Sequence, residues 1–220
     1  MYNRHIYDAI WAGSGPYNLT SALEPCNVCA DQKQVPYLFK QSALVGQNRQ
    51  ASFEDVSPLH DPSIITALKQ SIEQGGFVSL IGNPGSGKTY LLAAAVSYAI
   101  ETYWKRSVFT STPTLLDHLR STYRNQDRYS FDDYWDNIEH ADVLAIDEFD
   151  ESSGTDWANE QILKLVDDRY NRWQECCTIF GIKDFDKLTA SVKSRLKDFN
   201  FTIVLMQGQD LRLVNRKDWE

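Results

Sequence analysis

The chain has no long apolar run. None of its 220 residues falls in a stretch approaching the roughly 18 consecutive apolar residues of a membrane helix, so a transmembrane segment is not expected. Met1-Tyr2-Asn3-Arg4-His5-Ile6-Tyr7-Asp8 lacks the apolar core of a secretory leader. The expectation is a cytoplasmic protein whose four cysteines are reduced. Positive charge is also short: 22 Lys and Arg face 30 Asp and Glu, for a net charge of −8. That balance excludes a whole-surface attraction to nucleic acid, so any DNA contact needs a local basic strip or a partner. Metal ligands are few. Cys26-Asn27-Val28-Cys29 is half a zinc site, but no second pair follows, and His5 and His60 are poorly spaced to complete it. The pair therefore reads as two reduced thiols in a turn or as a decayed metal knuckle. Internal repeats and low-complexity tracts are absent.

What is present fits one α/β domain with a short appendage, at 42% hydrophobic and 24% charged residues. Residues 1–50, rich in Gly and Pro with little periodicity, read as an irregular N-terminal arm, with a short helix at Tyr2–Trp11. Residues 51–220 read as the globular domain.

Gly82-Asn83-Pro84-Gly85-Ser86-Gly87-Lys88-Thr89 matches G-x-x-x-x-G-K-[ST], the nucleotide phosphate-binding loop. The glycines let the backbone curl with its N–H groups turned inward onto phosphate oxygens. Lys88 supplies a mobile positive charge, and Thr89 offers a hydroxyl to Mg²⁺. The helix that begins at Lys88 and continues through Tyr90 adds its N-terminal dipole. Context supports the motif: Phe77–Ile81 reads as a buried strand before it, and Tyr90–Ile100 as an apolar helix after it.

The remaining pattern alternates. Helices are expected at Pro62–Gln74, 88–104, Pro113–Tyr123, Phe131–Glu139, Thr155–Trp173 and Leu188–Lys197. Strands are expected at Ser107–Ser111, Asp142–Glu148, Cys176–Gly181 and Phe201–Leu205. Buried strands separated by helices indicate a parallel sheet covered on both faces.

Val143-Leu144-Ala145-Ile146-Asp147-Glu148 is a hydrophobic strand that ends in two carboxylates. Downstream of a phosphate loop, the first suits Mg²⁺ and the second suits a base for the attacking water. The pair points to hydrolysis and not only to binding. Asp150 and Glu151 read as surface or supporting acids. Arg195, in Ser194-Arg195-Leu196, could reach a neighbouring subunit's γ-phosphate. On spacing alone a surface arginine among Lys187, Lys193 and Lys197 is the better reading.

In this order, the pieces resemble the AAA+ ATPases of the DnaC-type helicase-loader group and the related IstB-type transposition ATPases. The resemblance covers about residues 51–212. Narrower signals are Phe53, Leu119-Arg120, Asp168-Arg169-Tyr170, Ser194-Arg195-Leu196, and Gly208 with Arg212. It implies a P-loop NTPase with a five-stranded parallel sheet of order 5-1-4-3-2, ATP and Mg²⁺ as ligands, and catalytic roles for Lys88, Glu148 and Arg195. Arg195 becomes a finger acting in trans, Ala51–Val56 packs beside adenine, and Arg212 is a second arginine near the nucleotide. Two departures stand out. Lys183 follows the fourth strand where the family has a polar sensor, and only fifteen residues follow Leu205, so no helical lid is expected.

A finger in trans implies a head-to-tail oligomer, as a ring or filament. Lys105, Arg106, Arg120, Arg124 and Arg128, with Tyr123 and Tyr129, are candidate contacts for single-stranded DNA, or else a solvated basic face balanced by Asp127, Asp132 and Asp133. The function the resemblance implies is ATP hydrolysis coupled to DNA or to a DNA-bound replicative helicase. The alternatives are transposition target selection and a non-enzymatic, nucleotide-dependent adaptor.

Overall fold

The computed structural model describes residues 27–56, 60–124, 135–151, 155–198, 200–206 and 210–211, the side chains of 27–33 and 121–124 excepted. Five strands form one parallel sheet: β1 (Gly76–Gly82), β2 (Ser107–Ser111), β3 (Val143–Asp147), β4 (Cys177–Ile182) and β5 (Thr202–Met206). Their spatial order is β2-β3-β4-β1-β5, the order expected from the sequence read from the opposite edge. The helices are α1 (Asn27–Gln41), α2 (Pro62–Gln74), α3 (Lys88–Tyr103), α4 (Thr112–Arg124), α5 (described over 135–139), α6 (Asp156–Asn171) and α7 (Ala190–Leu196).

Strand alternation splits the core in two. Val78, Leu80, Val143, Ala145, Cys177 and Ile179 face a cluster built with α1, α2 and α3. Phe77, Leu144, Ile146, Phe180 and Ile182 face the other, built with α4, α5, α6 and α7. Successive residues point to opposite faces, so central strands that are apolar throughout need helices on both sides. Helix α3 is buried along Leu91–Ser97, Ala99 and Ile100, and packs between the sheet and α1 and α2.

The helix starts follow local chemistry. Asp61 accepts from Ser63 N at 2.8 Å, with Pro62 opening α2. Thr155 and Thr189 accept from the N–H groups of Ala158 and Val192. Arg169 of α6 is fully buried. Its guanidinium donates to Thr178 Oγ1 (2.6 Å), Cys177 O (2.9 Å) and Ala141 O (3.0 Å). Burial pulls its pKa below the ordinary arginine value, and these acceptors satisfy the cation that burial would otherwise penalise. Arg169 therefore ties α6 to the starts of β3 and β4 rather than serving a site.

Two expectations change. The arm is not irregular throughout: α1 occupies 27–41, and Leu38 and Leu44 are buried in the core beneath it. The Phe109 N–H also donates to Ser42 O at 2.8 Å, tying this segment to β2. Of the two readings of Asp150, the supporting one holds and the surface one does not; it is 6% exposed. The expected helix at 2–11, Cys26, residues 131–134, Gly208, Arg212 and the lid question lie outside the described residues. No described helix is long and apolar enough to cross a membrane.

Candidate functional site

All five strands run parallel, so their C-terminal ends share one edge of the sheet. A cleft of about 850 Å³ opens at that edge. The phosphate loop, Asp147, Glu148, Glu151, Lys183, Tyr90 and Asp55 are among the residues that line it. Ligands in open α/β sheets bind at this edge.

The loop leaves β1 and enters α3 through Gly87, at φ +87°, a backbone value that glycine tolerates without strain. Lys88 Nζ donates to Gly82 O (2.6 Å), Asn83 O (2.9 Å) and, more weakly, Ser86 Oγ (3.5 Å). The ammonium is thus curled onto the loop's own carbonyls, at its mouth. Pro84 and Gly85 form the loop tip, and the Leu211 N–H donates to Gly85 O at 3.0 Å. His60 Nε2 lies 2.9 Å from Ser86 O, which requires that nitrogen to carry the proton. Tyr90 accepts from the Ser52 N–H through its hydroxyl at 3.3 Å, joining the start of α3 to the 51–56 segment.

Beside the loop, the Thr89 hydroxyl donates to Asp147 Oδ2 at 2.5 Å. Asp147 Oδ1 accepts from the Glu148 N–H at 3.0 Å. These two residues present hard oxygen donors side by side in the cleft. Mg²⁺ commonly takes only one or two protein oxygens and keeps water for the rest. No larger group of His, Cys, Asp and Glu able to hold a metal occurs among the described residues. Thr89 and Asp147 therefore fit Mg²⁺.

Glu148 stands at the tip of β3 with φ +51°, the left-handed region that non-glycine residues seldom adopt. The turn carries Glu148 out of line with the strand and into the cleft, where it is exposed. Partial burial raises its pKa, and the carboxylates of Glu151, Asp147 and Asp150 push it the same way. Asp150 turns back. Its two oxygens accept from the Lys183 and Asp184 N–H groups at 2.8 and 3.0 Å. The end of β4, and Lys183 with it, is thereby fixed beside the end of β3.

The other candidates lie elsewhere. Arg195 sits near the end of α7 and does not line its own chain's cleft. It pairs with Asp167 of α6 and donates from Nη1 to Ser191 O at 2.8 Å. Among the described residues, the basic candidates do not form one strip. Lys105 donates to Ile72 O, and Arg106 pairs with Asp136 (2.8 Å) and Asn137 (2.7 Å). Both immediately precede β2, at the sheet edge opposite the cleft. Arg120 pairs with Asp117 and covers the Trp157 ring at 5.7 Å. Arg128 and Tyr129 lie outside the described residues, as do the side chains of Tyr123 and Arg124. Cys29 falls in α1, and its partner Cys26 is not described.

Sequence reasoning missed the cleft-lining Gln47 and Asn48, and it weighed His60 only as a metal ligand. None belongs to a motif. The one available signal was the run of polar side chains that ends just before the first core helix.

A five-stranded parallel sheet with this crossover order, carrying a phosphate loop after β1 and an acidic tip on β3, defines a P-loop ATP-binding protein of the AAA+ class. Residues 19–193 match the model of the IstB-like ATP binding protein family, and the chain belongs to that family. It is similar to the uncharacterized protein YqaM of Bacillus subtilis (strain 168), at 29% identity over 160 residues, 67% of this chain and 49% of that one. The chain thus spans about half the length of this relative. Its fold is similar to that of a DnaC helicase loader, with a TM-score of 0.63 and 18% identity over 74% of this chain and all of the loader chain. It is also similar to the replication initiator DnaA bound to AMPPCP and single-stranded DNA, with a TM-score of 0.59 and 15% identity over 73% of this chain and 50% of that one.

Proposed function

We propose that the chain is an Mg²⁺-dependent ATPase whose site is completed by a second copy. The observation that carries this reading is the tip of β3, where Asp147 is bonded to Thr89 and Glu148 is turned into the cleft beside it. Lys88 and the loop N–H groups would hold the phosphates, with the adenine against residues 51–56 and Tyr90. Mg²⁺, held by Thr89 and Asp147, would neutralise phosphate charge. Glu148 would orient the attacking water and take its proton. Lys183 supplies a cation at the β4 tip where a polar sensor is usual. Arg195 would act on the nucleotide of an adjacent copy, because it does not line the cleft of its own.

Such contacts are heterologous and build rings or filaments. The likeness in fold to DnaC and DnaA supports work on DNA or on a DNA-bound helicase. Membership of the IstB-like family supports a second reading, transposition target selection. Affinity capture with an ATP-loaded, non-hydrolysing variant separates the two. A replicative helicase supports the first and a transposase the second.

The test of the chemistry is Glu148→Gln. The variant is expected to retain ATP, read with a fluorescent analogue, while turnover falls about 100-fold or more. Equal turnover in variant and wild type would remove Glu148 from this role.

A further inference from the structure

We propose that Asp167 is a positioning residue that holds the Arg195 guanidinium ready for the neighbouring copy. The inference rests on the reading of Arg195 as a trans-acting finger and adds the device that aims it. Helices α6 and α7 pack together, with Val192 and Leu196 anchoring α7 in the core. Arg195 Nε is paired with Asp167 Oδ1, across from α6. Nη1 donates to Ser191 O, one turn back in α7. Two of the guanidinium's three nitrogens are thus tethered to two different helices. Among the described residues, Nη2 takes no partner.

The neighbouring groups are otherwise engaged. Asp198 accepts from the Tyr170 hydroxyl (2.7 Å) and from the Asn200 N–H (3.0 Å), and no bond from it to Arg195 occurs among the described residues. Lys193 donates to Asp186 O at 2.8 Å, and Lys197 Nζ stands 5.3 Å from the Phe185 ring. Arg195 is the cation of α7 whose planar head is held by both α6 and α7. A guanidinium suits this arrangement, because it is planar and presents its donors in a rigid fork. An untethered arginine must give up rotamer freedom each time it engages, and misplacement by about 1 Å can cost two orders of magnitude in rate.

The test compares Asp167→Ala, Asp167→Ser and Asp167→Asn in the full chain. Both truncations remove the acceptor, and each is expected to lower kcat about 10-fold, with KM for ATP little changed. Asp167→Asn keeps an oxygen that Nε can reach and is expected to recover most of the rate. In an Arg195→Ala background, Asp167→Ala is expected to add nothing. The melting temperature should barely move, because partly exposed ion pairs contribute little to stability.

Wild-type turnover in both truncated variants would overturn the proposal, and so would faster turnover, which would make Asp167 a restraint. An equal further loss in the Arg195→Ala background would reduce Asp167 to a structural role. If Arg195→Ala itself turns over like wild type, the finger reading fails first, and this inference falls with it.

Discussion

At the scale of residues, the cleft sets two opposing charges against each other. Lys88 Nζ is held by carbonyls of its own loop, so an arriving phosphate exchanges one set of oxygens for a charged one, which makes stronger bonds. Glu148 faces the opposite field: partial burial and then three neighbouring carboxylates disfavour its ionised form. In its proposed role as base Glu148 must be deprotonated, so a raised pKa would move the acid limb of kcat upward in pH from the ordinary glutamate value of 4.5. Glu151→Gln removes one repelling charge, and the limb is expected to shift toward lower pH. A profile of kcat against pH checks this, and a limb unmoved in the variant would contradict it. Lys88, Thr89, Asp147 and Glu148 were legible in the sequence because each sits at a spacing that the chemistry requires. His60 was not, because its contact with Ser86 O spans 26 positions and depends on how the segment before α2 folds back.

At the scale of elements, the close approach of the ends of β3 and β4 shapes the site. A Cβ at Gly181 would come within 2.5 Å of Asp147 Oδ1 and 2.8 Å of Leu92 Cδ1. Gly181→Ala is therefore expected to displace the Asp147 carboxylate and to destabilise the fold by about 1–3 kcal/mol. The measurement is thermal unfolding together with the Mg²⁺ concentration needed for half-maximal turnover. Unchanged values of both would show that the strand ends can yield at no cost. The Asp150 bonds to the start of the segment after β4 belong to the same arrangement and were hidden in the sequence. An acid four residues into an acidic stretch looks solvated until the fold brings two N–H groups against it. Helix α1 was missed for a related reason. Pro36 lacks an N–H and argues against a helix interior, yet Val35, Leu38 and Phe39 recur at helical spacing and pack on the core. Tertiary burial outweighed local propensity there, and the spacing was the signal to follow.

At the scale of the whole molecule, the parallel sheet gathers every strand end at one edge, and the cleft lies there. The parallel sheet was legible because apolar runs alternate with helices, while its strand order was implied by the resemblance to the helicase-loader group and is the order observed. The distribution of cations was not. Arg106 and Arg120 read in sequence either as nucleic-acid contacts or as a basic face balanced by acids; each is paired within the chain, and Lys105 and Arg106 stand at the far edge of the sheet. Arg195 stands apart from its own cleft, while the phosphate loop, the Thr89 and Asp147 oxygens and Glu148 are assembled inside it. The proposed division of the site between copies would account for both facts.

Mixing two inactive variants tests that division most directly. Lys88→Ala lacks the phosphate-binding cation but keeps Arg195, and Arg195→Ala has the reverse. Each alone is expected to be nearly inactive at saturating ATP. Steady-state turnover of the mixture should reappear, rise with the product of the two fractions and peak at equal amounts. A mixture that stays inactive at every ratio, while wild type turns over at the same total concentration, would contradict a site shared between two copies.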